Sequence, residues 1–208
     1  LYEPIDHKGQ LGLAMQLVAG ISLRQFCRQQ TVPGELLKSF ILQMGAALTY
    51  LHQQGIIHRD LKPDNFMVSE GLIIKLMDFG LARDRTVKTV TRLGSSVGTA
   101  AYMAPEQVMR GPERSELTEK SDQYALGILI FELLTSRCPF EWDDPIKLIP
   151  MHLTQEPPAL TSVRADLPKA LDEVVARMLN KDVDERYPSV ADAYQDFVRA
   201  AQTADVAT

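Results

Sequence analysis

The stretch His58-Arg59-Asp60-Leu61-Lys62-Pro63-Asp64-Asn65, with Asp78-Phe79-Gly80 after it, constrains this chain most. It sets a carboxylate able to act as a base, a lysine and two oxygen donors suited to magnesium in an order that phosphoryl transfer can use. Two short strand-like pieces lie between the motifs, Phe66-Met67-Val68 and Ile73-Ile74-Lys75-Leu76, with Gly71 supplying the turn.

Upstream, Leu11 to Val18 is apolar and strand-like, and Ala19-Gly20 breaks it. Ser22 can cap a short helix running to about Gln30, and Pro33 opens a longer one at its first turn. Leu37, Ile41, Met44, Leu48 and Leu51 recur at helical steps and share one face, and Gly55 stops that helix. From Leu81 to Ala101 the chain is polar and without periodicity, as a functional loop would be. The remainder reads as helices at about 121–136, 145–153, 168–179 and 188–202, punctuated by prolines.

The 208 residues make one domain with ample core. A net charge of -5 offers no basic excess for neutralising nucleic-acid phosphates, so no nucleic-acid partner is expected. Cys27 and Cys138 are too few for a disulfide framework, and neither belongs to a metal-binding cluster. No apolar run approaches the roughly 20 residues of a membrane helix. The longest, Tyr124 to Leu134 with Glu132 inside it, reads as a buried helix. A cytoplasmic domain is expected. The first residue is Leu1 rather than Met, which points to a fragment of a longer protein.

The two motifs, together with Gly98-Thr99-Ala100-Ala101-Tyr102-Met103-Ala104-Pro105-Glu106, resemble the eukaryotic-type serine/threonine protein kinases, and the bacterial ones in particular. The resemblance runs nearly end to end. It implies an α+β kinase fold: a mainly helical large lobe over 19–203, the end of the small lobe and the hinge over 1–18, and a frayed tail over 204–208. It implies transfer of the γ-phosphate of ATP to serine or threonine hydroxyls of proteins, the kinase itself included, with Mg2+ or, in its place, Mn2+.

The resemblance assigns Asp60 as the general base and Asn65 and Asp78 as magnesium ligands. Lys62 neutralises the transferring phosphate, and with Thr99 it marks the serine/threonine class. His58 becomes a packed core residue rather than an acid or base, and Phe79 the packing residue that sets Asp78. Glu106 pairs with a buried Arg186, and Asp122 holds the backbone around His58 and Arg59. Met15, Gln16 and Val18 align with the hinge that binds adenine, and Met67 with the pocket floor. Arg59 and Arg83 would capture phosphate on the loop, with Thr89 and Thr91 as the favoured acceptors.

The pattern departs from the family in one respect. The 14 residues before Met15 hold no glycine-rich loop and no strand lysine, and Lys75 matches a surface position rather than that lysine. A truncated kinase, inactive as the fragment alone, is therefore expected. The alternatives are a noncatalytic kinase-like binding module and, more remotely, a small-molecule kinase of the same fold.

Overall fold

The structure is a computed structural model that describes residues 4–7, 10–13, 16–78, 100–108, 118–142 and 144–202. It opens with an antiparallel pair, β1 (Pro4–His7) and β2 (Gln10–Leu13). The strand expected over Leu11–Val18 is therefore shorter than its apolar pattern. Gln16 to Ala19 belongs to no regular element, because its backbone runs on toward a separate sheet. That sheet is β3 (Gly20–Ser22), β4 (Phe66–Ser69) and β5 (Ile73–Leu76), antiparallel throughout, with β4 central. Gly20 is required there. A Cβ on it would lie 2.2 Å from the carbonyl oxygen of Val68, and its φ of +152° already disfavours other residues.

Ser22 starts α1 (Leu23–Gln29) through a reciprocal capping box with Gln25. α2 (Gly34–Gln53) buries Leu37, Ile41, Met44, Leu48 and Leu51 together, as the spacing requires. Pro33 stands one position earlier than expected, at the cap. Its carbonyl accepts from Leu36 and Leu37, and its missing N–H costs nothing there. The helix stops in a Schellman arrangement. Gly55, at φ +71°, donates to His52 O, and Ile56 donates to Leu51 O.

The later helices are α3 (Pro105–Val108), α4 (Glu119–Thr135), α5 (Pro145–Thr154), α6 (Leu160–Val163), α7 (Ala170–Met178) and α8 (Val190–Gln202). α4 begins at Glu119, capped by Thr118, so Asp122 sits within its first turn rather than at its start. The single turns α3 and α6, and the 3-10 turn Pro63–Asn65, were not legible, since four residues or fewer carry no periodicity. α4 is buried on every side from Ser121 to Phe131, as an apolar helix at the centre of a core must be. α2, α7 and α8 pack against it. No helix among the described residues is long and apolar enough to cross a membrane.

Candidate active site

The loop that follows α2 is held from below by one carboxylate. Asp122, 1% exposed, accepts from the backbone N–H of His58 at Oδ2 and of Arg59 at Oδ1, both at 2.7 Å. His52 Nε2 lies 2.9 Å from Oδ2 and ties α2 to the same group. These bonds hold Arg59 at φ +71°, a left-handed conformation that a side chain disfavours. Backbone strain sits next to Asp60, and the surrounding bonds over-determine it.

His58 is fully buried and uses both ring nitrogens. Nδ1 accepts from the N–H of Asp60 at 3.3 Å, and Nε2 donates to the carbonyl of Met77 at 2.8 Å. The ring is thus a structural bridge between the two motifs. At its other polar atom, the N–H, Met77 donates to Asn65 O at 2.8 Å, continuing the β4–β5 ladder by one bond. Met77 is pinned at both polar atoms, and Asp78 follows it at φ +58°, exposed.

Asn65 ends the 3-10 turn and is 7% exposed. Its Nδ2 donates to Asp60 O at 2.7 Å and lies 3.4 Å from Asp60 Oδ2. The amide nitrogen is thus turned toward Asp60. Lys62 Nζ donates to Asp60 Oδ2 at 2.7 Å. Both of these side-chain contacts with Asp60, from Lys62 and Asn65, fall on Oδ2. The Asn65 amide oxygen and the Asp78 carboxylate are hard oxygen donors of the kind that suits magnesium. No group of three or more histidine, cysteine, aspartate or glutamate residues among the described residues could hold a metal. Met67, half-buried on β4, pairs in register with Ser22, so the Gln16–Ala19 segment feeds into the strand beside it.

Glu106 and Arg186 form the expected pair, with bonds of 2.9 and 3.0 Å. Arg186 also donates to the carbonyls of Asn180 and Lys120, both at 2.8 Å. Burial pushes the Glu106 carboxyl up, but the hydrogen bonds and charge of Arg186 outweigh it and hold the group below its usual range. Met15, Phe79, Arg83, Thr89, Thr91 and Thr99 lie outside the described residues.

Several participants were not found from the sequence. Arg24 on α1 donates to Asp64 at 2.7 Å and to the Tyr102 hydroxyl at 3.1 Å, and Tyr102 donates to Glu132 at 2.5 Å. This chain of contacts ties the loop to α1, to the Ala100–Ala104 segment and to the central helix. Burial raises the Glu132 carboxyl, opposed by Tyr102 and Arg24. A glutamate inside an apolar run was the one available signal. Gln107 bridges Ala104 and Arg59, and nothing in its neighbours marks it.

A family model described as "Protein kinase domain" matches residues 1–197. The chain is 33% identical over 192 residues to the probable serine/threonine-protein kinase PknB of Lactococcus lactis, covering 92% of this chain and 30% of the relative. It is 36% identical over 199 residues to the serine/threonine-protein kinase PknE of Mycobacterium tuberculosis, covering 95% of this chain and 34% of the relative. PknB of Mycolicibacterium smegmatis is 36% identical over 192 residues, covering 90% of this chain and 30% of that protein. The chain spans about a third of the length of these curated relatives. The α+β architecture around a central buried helix and the motifs at residues 58–65 and 78–80 agree with those matches: the chain belongs to the protein kinase domain family.

Proposed function

We propose that the chain is the large lobe and hinge of a serine/threonine protein kinase that transfers the γ-phosphate of ATP to protein hydroxyls. Residues 1–18 would be the end of the small lobe and the hinge, residues 19–203 the large lobe and 204–208 a tail. The observation that carries the reading is the cluster in which Asp60, Lys62 and Asn65 share hydrogen bonds while the N–H of Met77, the residue before Asp78, donates to the carbonyl of Asn65.

In this reading Asp60 accepts the proton of a serine or threonine hydroxyl, and that oxygen forms the new bond to the γ-phosphorus of ATP. The bond from the γ-phosphorus to the bridging oxygen breaks, and ADP leaves with that electron pair. Lys62 balances charge on the transferring phosphoryl group, and Thr99 fixes the hydroxyl beside it. Asn65 and Asp78 would hold Mg2+, or Mn2+ in its place, which neutralises phosphate charge. Gln16 and Val18 offer backbone groups to adenine, Met15 guards the back of the pocket, Met67 forms its floor, and Phe79 sets Asp78. ATP as co-substrate puts the domain in the cytoplasm.

Regulation by phosphate on the loop is part of the proposal, with Arg59 and Arg83 as the capturing pair and Thr89 and Thr91 as acceptors. The buried Arg59 Nε has no hydrogen-bond partner among the described residues, which supports a charge waiting for an anion.

The test is transfer of labelled γ-phosphate from Mg-ATP by the full-length protein that carries this chain, beside Asp60→Asn. Labelled phosphoserine or phosphothreonine that vanishes in the variant is the expected result. A folded protein that binds nucleotide or partners and transfers no label would be a noncatalytic binding module.

A further inference from the structure

The peptide that joins Arg59 to Asp60 is held at both of its polar atoms. Its N–H, on Asp60, donates to His58 Nδ1 at 3.3 Å. Its carbonyl, on Arg59, accepts from Gln107 Nε2 at 2.9 Å. The same Gln107 side chain accepts the N–H of Ala104 at Oε1, at 2.8 Å. One half-buried amide therefore spans two segments: the loop that carries Asp60, and the turn that leads into α3.

We propose that Gln107 is a positioning residue. It couples the Ala104–Glu106 segment, which ends the loop that would face the protein substrate, to the orientation of the Asp60 carboxylate. The geometry is specific to an amide. Both ends of the bridge are backbone groups, one a donor and one an acceptor, so the side chain must offer an oxygen and an N–H on one planar unit. Arg59 stands at φ +71°, so its peptide plane relaxes toward a commoner conformation when a restraint is lost. Asp122 restrains the N–H of Arg59, on the other side of its Cα; it does not restrain the carbonyl. Rotation of the Arg59–Asp60 peptide would move the Asp60 Cα, and with it the carboxylate, relative to Lys62 and Asn65. A catalytic group displaced by an ångström loses rate more than substrate affinity.

The proposal rests on the kinase reading for its effect on rate and on geometry alone for its effect on the peptide. The experiment measures both on the full-length protein. Gln107→Glu keeps the acceptor for Ala104 and sets a carboxylate oxygen against the Arg59 carbonyl; Gln107→Ala removes both bonds. Expected for both variants, assayed well below their melting midpoints, is a fall in kcat of about tenfold with KM for ATP within about twofold of the parent; the thermal midpoint falls modestly, since backbone groups lose their partner. Hydrogen exchange of the peptide spanning residues 56–64 should accelerate by about tenfold in the same proteins. Unchanged exchange there overturns the proposal, as does an unchanged kcat in variants held well below their melting midpoints. If the parent shows no Asp60-dependent transfer, the kinase reading fails. The exchange rates then still decide whether Gln107 fixes the Asp60 peptide.

Discussion

The guanidinium of Arg186 donates to both carboxylate oxygens of Glu106, a partner eighty residues away in sequence, and both groups are buried. Removing one member leaves the other charged and stranded in the core. Glu106→Ala or Arg186→Ala should each cost about 3–5 kcal/mol of unfolding free energy, read by urea denaturation. Glu106 is also acid-sensitive. Its folded carboxyl titrates below its unfolded one, so its contribution is present above the ordinary carboxylate range and is lost as pH falls through the lowered value. In Glu106→Gln that part of the acid limb should disappear.

His152 governs a different pH window. It is buried beside Phe140, with Nδ1 at 2.9 Å from the Tyr124 hydroxyl. Burial, and then the charge of Lys181, lower it from 6.5 to about 4. Between those values the unfolded chain binds the extra proton and the folded one does not, so stability falls as pH drops from 6.5 toward 4. The full effect is about 3 kcal/mol, with a limiting slope of about 1.4 kcal/mol per pH unit. Denaturation midpoints taken across this window should slope less in His152→Gln than in the parent; parallel curves would refute the assignment.

Asp122 should matter for both stability and rate. Asp122→Ala strands the N–H groups of His58 and Arg59 and releases the strained Arg59 backbone. A loss of about 3 kcal/mol in stability is expected, with phosphotransfer reduced by more than about tenfold at temperatures where the variant stays folded. Circular dichroism melts paired with kinase assays separate the two effects.

Gly20→Ala places a methyl 2.2 Å from the Val68 carbonyl oxygen. Backbone cannot yield there without parting β3 from β4, and β4 carries Met67. ATP affinity should fall by more than about tenfold, and the melting midpoint should fall with it, because Ser22 at the end of the same strand caps α1. Nucleotide titration by fluorescence or calorimetry checks it; unchanged affinity would remove this sheet edge from the adenine site.

Local features were legible because their causes lie within a few residues. The Ser22 cap, the apolar face of α2, the Gly55 stop and the buried character of α4 follow from spacing and side-chain type alone. So did the order of groups from His58 to Asn65, because hydrogen bonds within the loop bring its residues together. The roles of Asp122 and of Glu106 with Arg186 were reachable through family resemblance and through nothing in their own neighbourhoods. Gln107 and His52 were not reachable at all, and of the Arg24–Tyr102–Glu132 chain only Glu132, a charge inside an apolar run, gave a signal. Each of these groups bonds to a partner far along the chain, and one polar residue in a sequence does not specify which distant backbone atom it will meet. The sequence by itself determined the longer helices, the turn chemistry and the order of the polar groups around Asp60. The tertiary structure decided which buried carboxylate, imidazole and amide hold the Asp60 peptide, because those bonds exist only once α2, α3 and α4 are packed together.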